Sequence, residues 1–231
     1  MSTYIIWIKE RRELAEALNQ GRCGGTFADG VIILCTCICA MASLLWIEAR
    51  QRQDRKRFVE IVTRFSNPPH DTKKISVPLL AQEEIDWRQR LNVSNIAFRY
   101  TGTIDRDESE IVALGGPTPH PDIRKTIRRY SYANILYTDV RSGFAHTYMP
   151  TDRVASADPL RGIFDRDTLG ISYVNRLHER KMRQINFSLE WIAAVAENVA
   201  SGMDAECNRG NKYIGENLGL NPPSTWWIDG A

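Results

Sequence analysis

The sequence is poor in the residues from which metal and redox centres are built. Its four histidines (His70, His120, His146 and His178) are scattered along 231 residues, and its five cysteines (Cys23, Cys35, Cys37, Cys39 and Cys207) show no paired C-x-x-C spacing. A metal site needs ligands at spacings that let them converge. No metal and no cofactor is therefore expected. Cys35 and Cys39 share a helix face, but inside an apolar run that placement reads as core filling. An excess of charge is also missing. Thirty basic residues face 28 acidic ones, for a net charge of +2. Such a balance excludes coating of a polyanion by bulk charge, so any such partner must be held by a local patch. The glycine-rich "GRCGGTFADG" at 21–30 lacks a G-K-S or G-K-T ending and follows no strand. It predicts a turn into a helix, with Thr26 or Asp29 as the cap, rather than a phosphate loop. Internal repeats and low-complexity tracts are absent.

What is present predicts a globular, mainly α chain forming one domain over 1–231. Hydrophobic residues make up 43% and charged residues 25%, enough for a sizeable core. Residues 4–19 read as a first helix. Residues 30–47, "GVIILCTCICAMASLLWI", form an uncharged run at the lower limit for a membrane span. Asp29 and Glu48 bracket it, and Thr36, Ser43 and the cysteines dilute it. The expectation is a central buried helix, continuing with a bend through about 26–65 until Pro68 and Pro69 stop it. A single span over 30–47 stays open as an alternative. An odd cysteine count, and an N-terminus charged too early for a signal-peptide core, predict a reducing, cytoplasmic setting.

Further along, "SNIAFRYTG" reads as a short strand. A helical pattern then starts at Asp122, with Ile123, Ile127, Tyr130, Ala133, Tyr137 and Val140 at spacings of three and four, and runs to about 148. "GISYVNR" and "RQINFSLEW" predict a β-hairpin at about 171–187, followed by a helix at about 188–206. The tail at 207–231 reads as irregular and loosely packed.

The stretch "YTDVRSGFAHTYMP", 137–150, concentrates the chemistry. Arg141 falls in line with Ile123 on the apolar stripe, and a buried guanidinium is costly unless paired or working. The plainer account is a structural arginine bonded to a carbonyl or to a carboxylate such as Asp139. His146, five residues on, would point about 140° away on a straight helix. Either the helix loosens at Gly143, or a second copy of the chain completes the site.

"RSGFAHTY" resembles the arginine, four-to-six residues, histidine motif of HEPN domains (higher eukaryotes and prokaryotes nucleotide-binding), in the prokaryotic form with a tyrosine two residues after the histidine. The resemblance is anchored in 122–150 and extends loosely to the core helix at 26–65. It departs from the pattern at Ser142, where asparagine, aspartate or histidine is commoner. The resemblance implies a HEPN-like helical bundle that dimerises, the β-hairpin being an insertion. It also implies a metal-independent endoribonuclease acting through the ribose 2′-oxygen, in the setting of a toxin or phage-defence effector. Arg141 would hold charge on the phosphorane, His146 would move the proton, and Ser142 and Tyr148 would complete the catalytic set. A nucleotidyltransferase antitoxin that modifies the matching tyrosine is the implied partner in toxin–antitoxin relatives.

A basic band supports RNA as partner. Arg124, Lys125, Arg128 and Arg129 stand on the motif helix, where they would track phosphates; a merely solvated face is the competing account. A second cluster, Arg50, Arg52, Arg55, Lys56 and Arg57, carries less weight because Glu48 and Asp54 interrupt it. The alternative function is a HEPN-fold module that binds a nucleotide or protein without catalysis, with the strands near 171–190 as a docking edge.

Overall fold

The computed structural model describes residues 3–46, 53–91, 100–101, 104–114, 121–155, 170–176, 182–213, 215–216, 218 and 220–229. It is mainly helical, with a small antiparallel sheet. Helix α1 (Thr3–Asn19) leads through the glycine turn into α2 (Phe27–Leu45) and then α3 (Asp54–Arg64). Short helices α4 (Val77–Glu83) and α5 (Ile85–Arg90), strand β1 (Tyr100–Thr101) and helices α6 (Glu108–Leu114) and α7 (Pro121–Arg128) follow. The motif region comprises α8 (Tyr132–Ile135), a π-helical segment (Leu136–Arg141) and α9 (Ser142–Thr147). Strands β2 (Ile171–Arg176) and β3 (Met182–Phe187) and the long helix α10 (Leu189–Gly210) complete the order.

α2 is the axis of the core. It packs against α1, α3 and α10, and Val31, Leu34, Cys35, Ile38, Met41 and Leu45 are fully enclosed. Gly30 permits the crossing, since a Cβ there would meet the Ala15 carbonyl at 2.9 Å. α2 is also the one described helix long and apolar enough to cross a membrane. Its start is fixed by Asp29, whose carboxylate accepts from the Thr26 N–H at 2.7 Å and its hydroxyl at 2.8 Å. Asp204 on α10 does the same for α1, accepting from the N–H groups of Thr3, Tyr4 and Ile5 at 2.9–3.1 Å. The orphan donors of one helix are thus satisfied by another.

Three expectations need correction. α2 does not run on to 65: it stops at Leu45, Trp46 is extended, and α3 begins at Asp54. The pattern from Asp122 is not one helix either. Residues 129–131 leave the helix because 130–133 pair with the segment at 72–76. The Tyr130 carbonyl accepts from the Ser76 N–H at 2.8 Å, the Tyr132 N–H donates to Lys74 at 3.0 Å and the Ala133 N–H to Thr72 at 2.9 Å. Ser131 then caps α8. The apolar residues of the stripe are still inward, but the alignment of Arg141 with Ile123 does not carry across the break. Nor is the tail loose. Trp226 packs edge-on against Trp46 at 5.4 Å, the Trp227 N–H donates to Glu60 at 2.8 Å, and Asp229 pairs with Lys56 at 2.7 Å.

The hairpin is present with Ile171 opposite Phe187 and Arg176 opposite Met182, and β1 adds to it through Tyr100 and Tyr173. The rest of the strand expected at "SNIAFRYTG" lies outside the described residues. Beneath the sheet sits a buried carboxyl, Asp105. It accepts from the Val77 N–H at 2.9 Å, the Tyr173 hydroxyl at 2.6 Å and the Tyr132 hydroxyl.

Candidate functional site

The segment from Tyr132 to Tyr148 runs antiparallel to α2. Tyr137 lies beside Cys39 and packs on Phe58 at 5.3 Å; Arg141 lies between Cys35 and Cys39. Phe144 meets Phe27 edge-on at 6.0 Å, and the Tyr148 hydroxyl donates to Asp29 at the start of α2. Tyr137, Arg141, Phe144 and Tyr148 therefore share one face, at helical spacings of four, three and four.

The turn before Arg141 is π-helical, with the Ser142 N–H bonded to the Tyr137 carbonyl. Two hydroxyls add bonds to carbonyls of the widened ladder. Thr138 donates to the Asn134 carbonyl at 2.8 Å, and Ser142 donates to the Tyr137 carbonyl at 2.9 Å. Single π-turns inside α-helices concentrate at functional sites. The helix does loosen, but upstream of Arg141 and not at Gly143. Gly143 instead makes room for a close crossing, because a Cβ there would meet the Met149 carbonyl at 2.6 Å and Pro150 Cα at 2.8 Å. The chain leaving α9 folds back over it, and Tyr148 takes a left-handed conformation to make that return (φ 58°).

Arg141 is half-buried, with its guanidinium 5.3 Å from the centre of the Tyr137 ring. Among the described residues no carboxylate lies within ion-pairing distance of it. Asp139, the partner suggested by sequence, instead accepts from Arg153 at 3.2 Å and from Thr151 at 2.6 Å. The neighbours of Arg141 are thiols. Burial pushes the Cys35 and Cys39 thiols up, and the Arg141 charge opposes that rise. A neutral thiol compensates little of a guanidinium's charge.

A residue that the sequence left in a lesser cluster joins this region. Arg55, near the start of α3, donates through Nε to the Asn134 side chain at 2.9 Å, and the Asn134 amide donates onward to the Arg129 carbonyl at 2.7 Å. Burial, then the charge of Arg129, pulls the Arg55 guanidinium down from its usual value. Asn134, 2% exposed, thus binds α3 to the start of the motif helix. No sequence pattern announced this, because the two arginines are brought together by tertiary packing. Arg50 and Arg52 lie outside the described residues.

The remaining site residues separate. His146 is exposed on the last turn of α9, and with α-helical geometry through Ser142–Thr147 it stands about 140° round the axis from Arg141. One chain does not bring the two together. Ser142, placed in the catalytic set on sequence, uses its hydroxyl to close the π-turn. Tyr148 is about half exposed and holds Asp29, which lies below its ordinary pKa because of that hydroxyl and then Thr26. In turn the Asp29 carboxylate raises the Tyr148 phenol.

The expected band on α7 divides as well. Lys125 and Arg129 are exposed. Arg124 is exposed but stands 3.8 Å from Glu108. Arg128 corrects the expectation outright, being 3% exposed and forked onto Glu108 by two 2.9 Å bonds. It also stacks on Trp227 at 4.6 Å and donates to the Trp227 carbonyl. It fastens the tail and cannot track phosphates. An open groove of about 650 Å³ is lined by Asp71, Lys73, Asp107, Glu108, Arg124 and Arg128, and shares no residue with the Arg141 region.

Among the described residues, no group of three or more histidine, cysteine or acidic side chains is placed to hold a metal ion. His120 and His178 lie outside them. Compared with protein-family models, with curated proteins and with solved structures, the chain matches none.

Proposed function

We propose that the chain is a HEPN-like endoribonuclease that cleaves RNA by attack of a ribose 2′-oxygen, without a metal, and works as a homodimer. The observation that carries this reading is Arg141: a half-buried guanidinium, at the end of a π-turn, with thiols and a phenol around it and, among the described residues, no carboxylate within ion-pairing distance. Such a group is ready to take the charge that accumulates on a phosphorane. His146, exposed one turn further on, is the proton carrier. Because the two diverge on one helix, the productive site draws Arg141 from one copy and His146 from the other across a twofold axis. Tyr148, its hydroxyl exposed and resting on Asp29, is the residue that a nucleotidyltransferase antitoxin would modify. The setting proposed is a cytoplasmic toxin or phage-defence effector.

The test is incubation of purified protein with mixed RNA in excess chelator. Wild-type protein should produce fragments ending in a cyclic phosphate, and Arg141→Ala should slow cleavage by about 10²–10³-fold. His146→Ala should do the same, with both variants keeping the wild-type circular dichroism. Equal cleavage by all three proteins would remove these residues from the site.

One observation favours a second reading, binding without cleavage. The arginine and histidine do not converge within a chain, so a monomer would keep the anion-holding arginine and lose the chemistry. That protein would be thermally stabilised by RNA and yield no fragments.

A further inference from the structure

We infer that Arg129, Arg55 and Arg141 form one continuous row that grips the backbone of a single-stranded nucleic acid leading to the reaction site. The inference rests on the nuclease reading for its ligand and on independent geometry for its residues. The row crosses two elements, α3 and the motif helix. Its middle member is held by the buried amide of Asn134, which accepts from Arg55 at 2.9 Å and donates to the Arg129 carbonyl at 2.7 Å. Its far end is set by Tyr137, which packs on Phe58 of α3 and carries the Arg141 guanidinium at 5.3 Å.

Holding like charges together is unfavourable unless something neutralises them. Among the described residues the acids nearby do this only partly. Asp229 is paired with Lys56 at 2.7 Å, Asp139 is occupied by Arg153 at 3.2 Å, and Asp54, whose charge acts on Cys39 and Tyr137 as that of Arg141 does, makes no ion pair with the row. A buried asparagine spent on holding the Arg55 guanidinium against the backbone at Arg129 brings a second cation to the motif helix, and an external anion would supply the missing charge. Guanidinium forks match phosphate oxygens, and a row rather than a cluster fits a chain of phosphates. The row also gives the basic residue at the start of α3 a purpose that its sequence did not suggest.

The experiment measures binding of a short fluorescent single-stranded DNA by anisotropy as salt rises. A deoxy strand has no 2′-oxygen and cannot be cut by the proposed reaction, so binding is read apart from cleavage. For each phosphate that a variant no longer neutralises, the slope of log affinity against log salt should fall by about 0.7. Arg55→Gln and Arg129→Gln should each lower it by that amount, and the double variant by about twice as much. Lys9→Gln, an equal charge change on the exposed face of α1, should leave the slope unchanged. Asn134→Ala keeps every charge and should weaken binding, and a matching urea midpoint shows that its fold is retained. Slopes for Arg55→Gln and Arg129→Gln equal to wild type would overturn the row while leaving the nuclease reading intact. Wild-type binding to a polyglutamate peptide but not to the strand would also overturn it, in favour of an acidic protein partner. The expected slope changes with no RNA cleavage by any protein would support the row and sink the nuclease.

Discussion

Arg128 and Arg141 belong to consecutive stretches of one amphipathic pattern, and the fold treats them in opposite ways. Arg128 is enclosed, forked onto Glu108 and stacked on Trp227. Every part of its guanidinium has a partner, and the partners tie α6, α7 and the tail together. Arg141 has a phenol face and thiols and, among the described residues, no carboxylate within ion-pairing distance. Burial alone does not separate a structural cation from a functional one; what separates them is whether the charge is matched by the protein's own anions. By that criterion Arg128 stabilises the fold, and Arg141 is the cation that the proposed function assigns to a ligand.

Substitutions should separate the two regions by the kind of damage they do. The largest loss of stability is expected at the paired arginine. Arg128→Met leaves Glu108 without its partner and frees the tail, and should cost about 3–5 kcal/mol of unfolding free energy. Chemical denaturation measures this, and a cost no greater than that of Arg141→Ala would erase the distinction. Next comes the turn that closes the motif. Gly143→Ala drives a Cβ into the backbone of Met149 and Pro150 and should cost about 1–3 kcal/mol, with His146 displaced. An unchanged melting temperature with unchanged cleavage would refute the close crossing.

Carboxylates divide in the same way. Asp139 has a guanidinium beside it; Asp105 has two phenols and an N–H. Burial raises the Asp105 carboxyl to about 7, against the bonds from Tyr132, Tyr173 and Val77 and the charge of Lys74. A carboxyl raised on folding favours the proton, so its contribution is complete below the ordinary carboxylate range. That contribution is lost as pH rises from about 4 through 7. The urea midpoint should fall over that interval, and Asp105→Asn should flatten the profile. A wild-type profile flat between pH 4 and 7 would contradict this. The smallest effect is expected at the exposed tie. Tyr148→Phe removes the hydroxyl that lowers Asp29, so the Asp29 carboxyl should titrate higher by NMR while the fold stays intact. An unmoved Asp29 would show that the tie is not formed in solution.

Local pattern was enough for the start of α2, though not its end, and for the hairpin and α10. Their apolar periods are long, and Gly170, Ser188 and the capping residues mark their ends. It failed where backbone pairing from a distant segment decided the outcome. Nothing within 122–148 announces that residues 72–76 will pair across 130–133 and open the helix at Arg129. The π-turn was hidden as well: Ser142 read as a member of the catalytic set, not as a hydroxyl bonded to the Tyr137 carbonyl. The tail looked irregular because it is irregular; its order comes from Trp46, Glu60, Lys56 and Arg128, all far away in sequence. For the candidate site, the divergence of Arg141 and His146 could be read from spacing, and their choice as a pair came from the motif resemblance. Arg55, Asn134 and the tie from Asp29 to Tyr148 could not be read, because each depends on a contact that the fold creates.

The claim on which the rest depends is that Arg141 and His146 act on one phosphate from different copies of the chain. Mixing Arg141→Ala with His146→Ala protein, after exchange of subunits, tests it most directly. Half the dimers are then mixed, and each mixed dimer holds one site with both residues intact, so cleavage should recover to roughly a quarter of wild type. No recovery, with subunit exchange verified, would mean that arginine and histidine must come from the same chain, which the geometry of α9 does not allow.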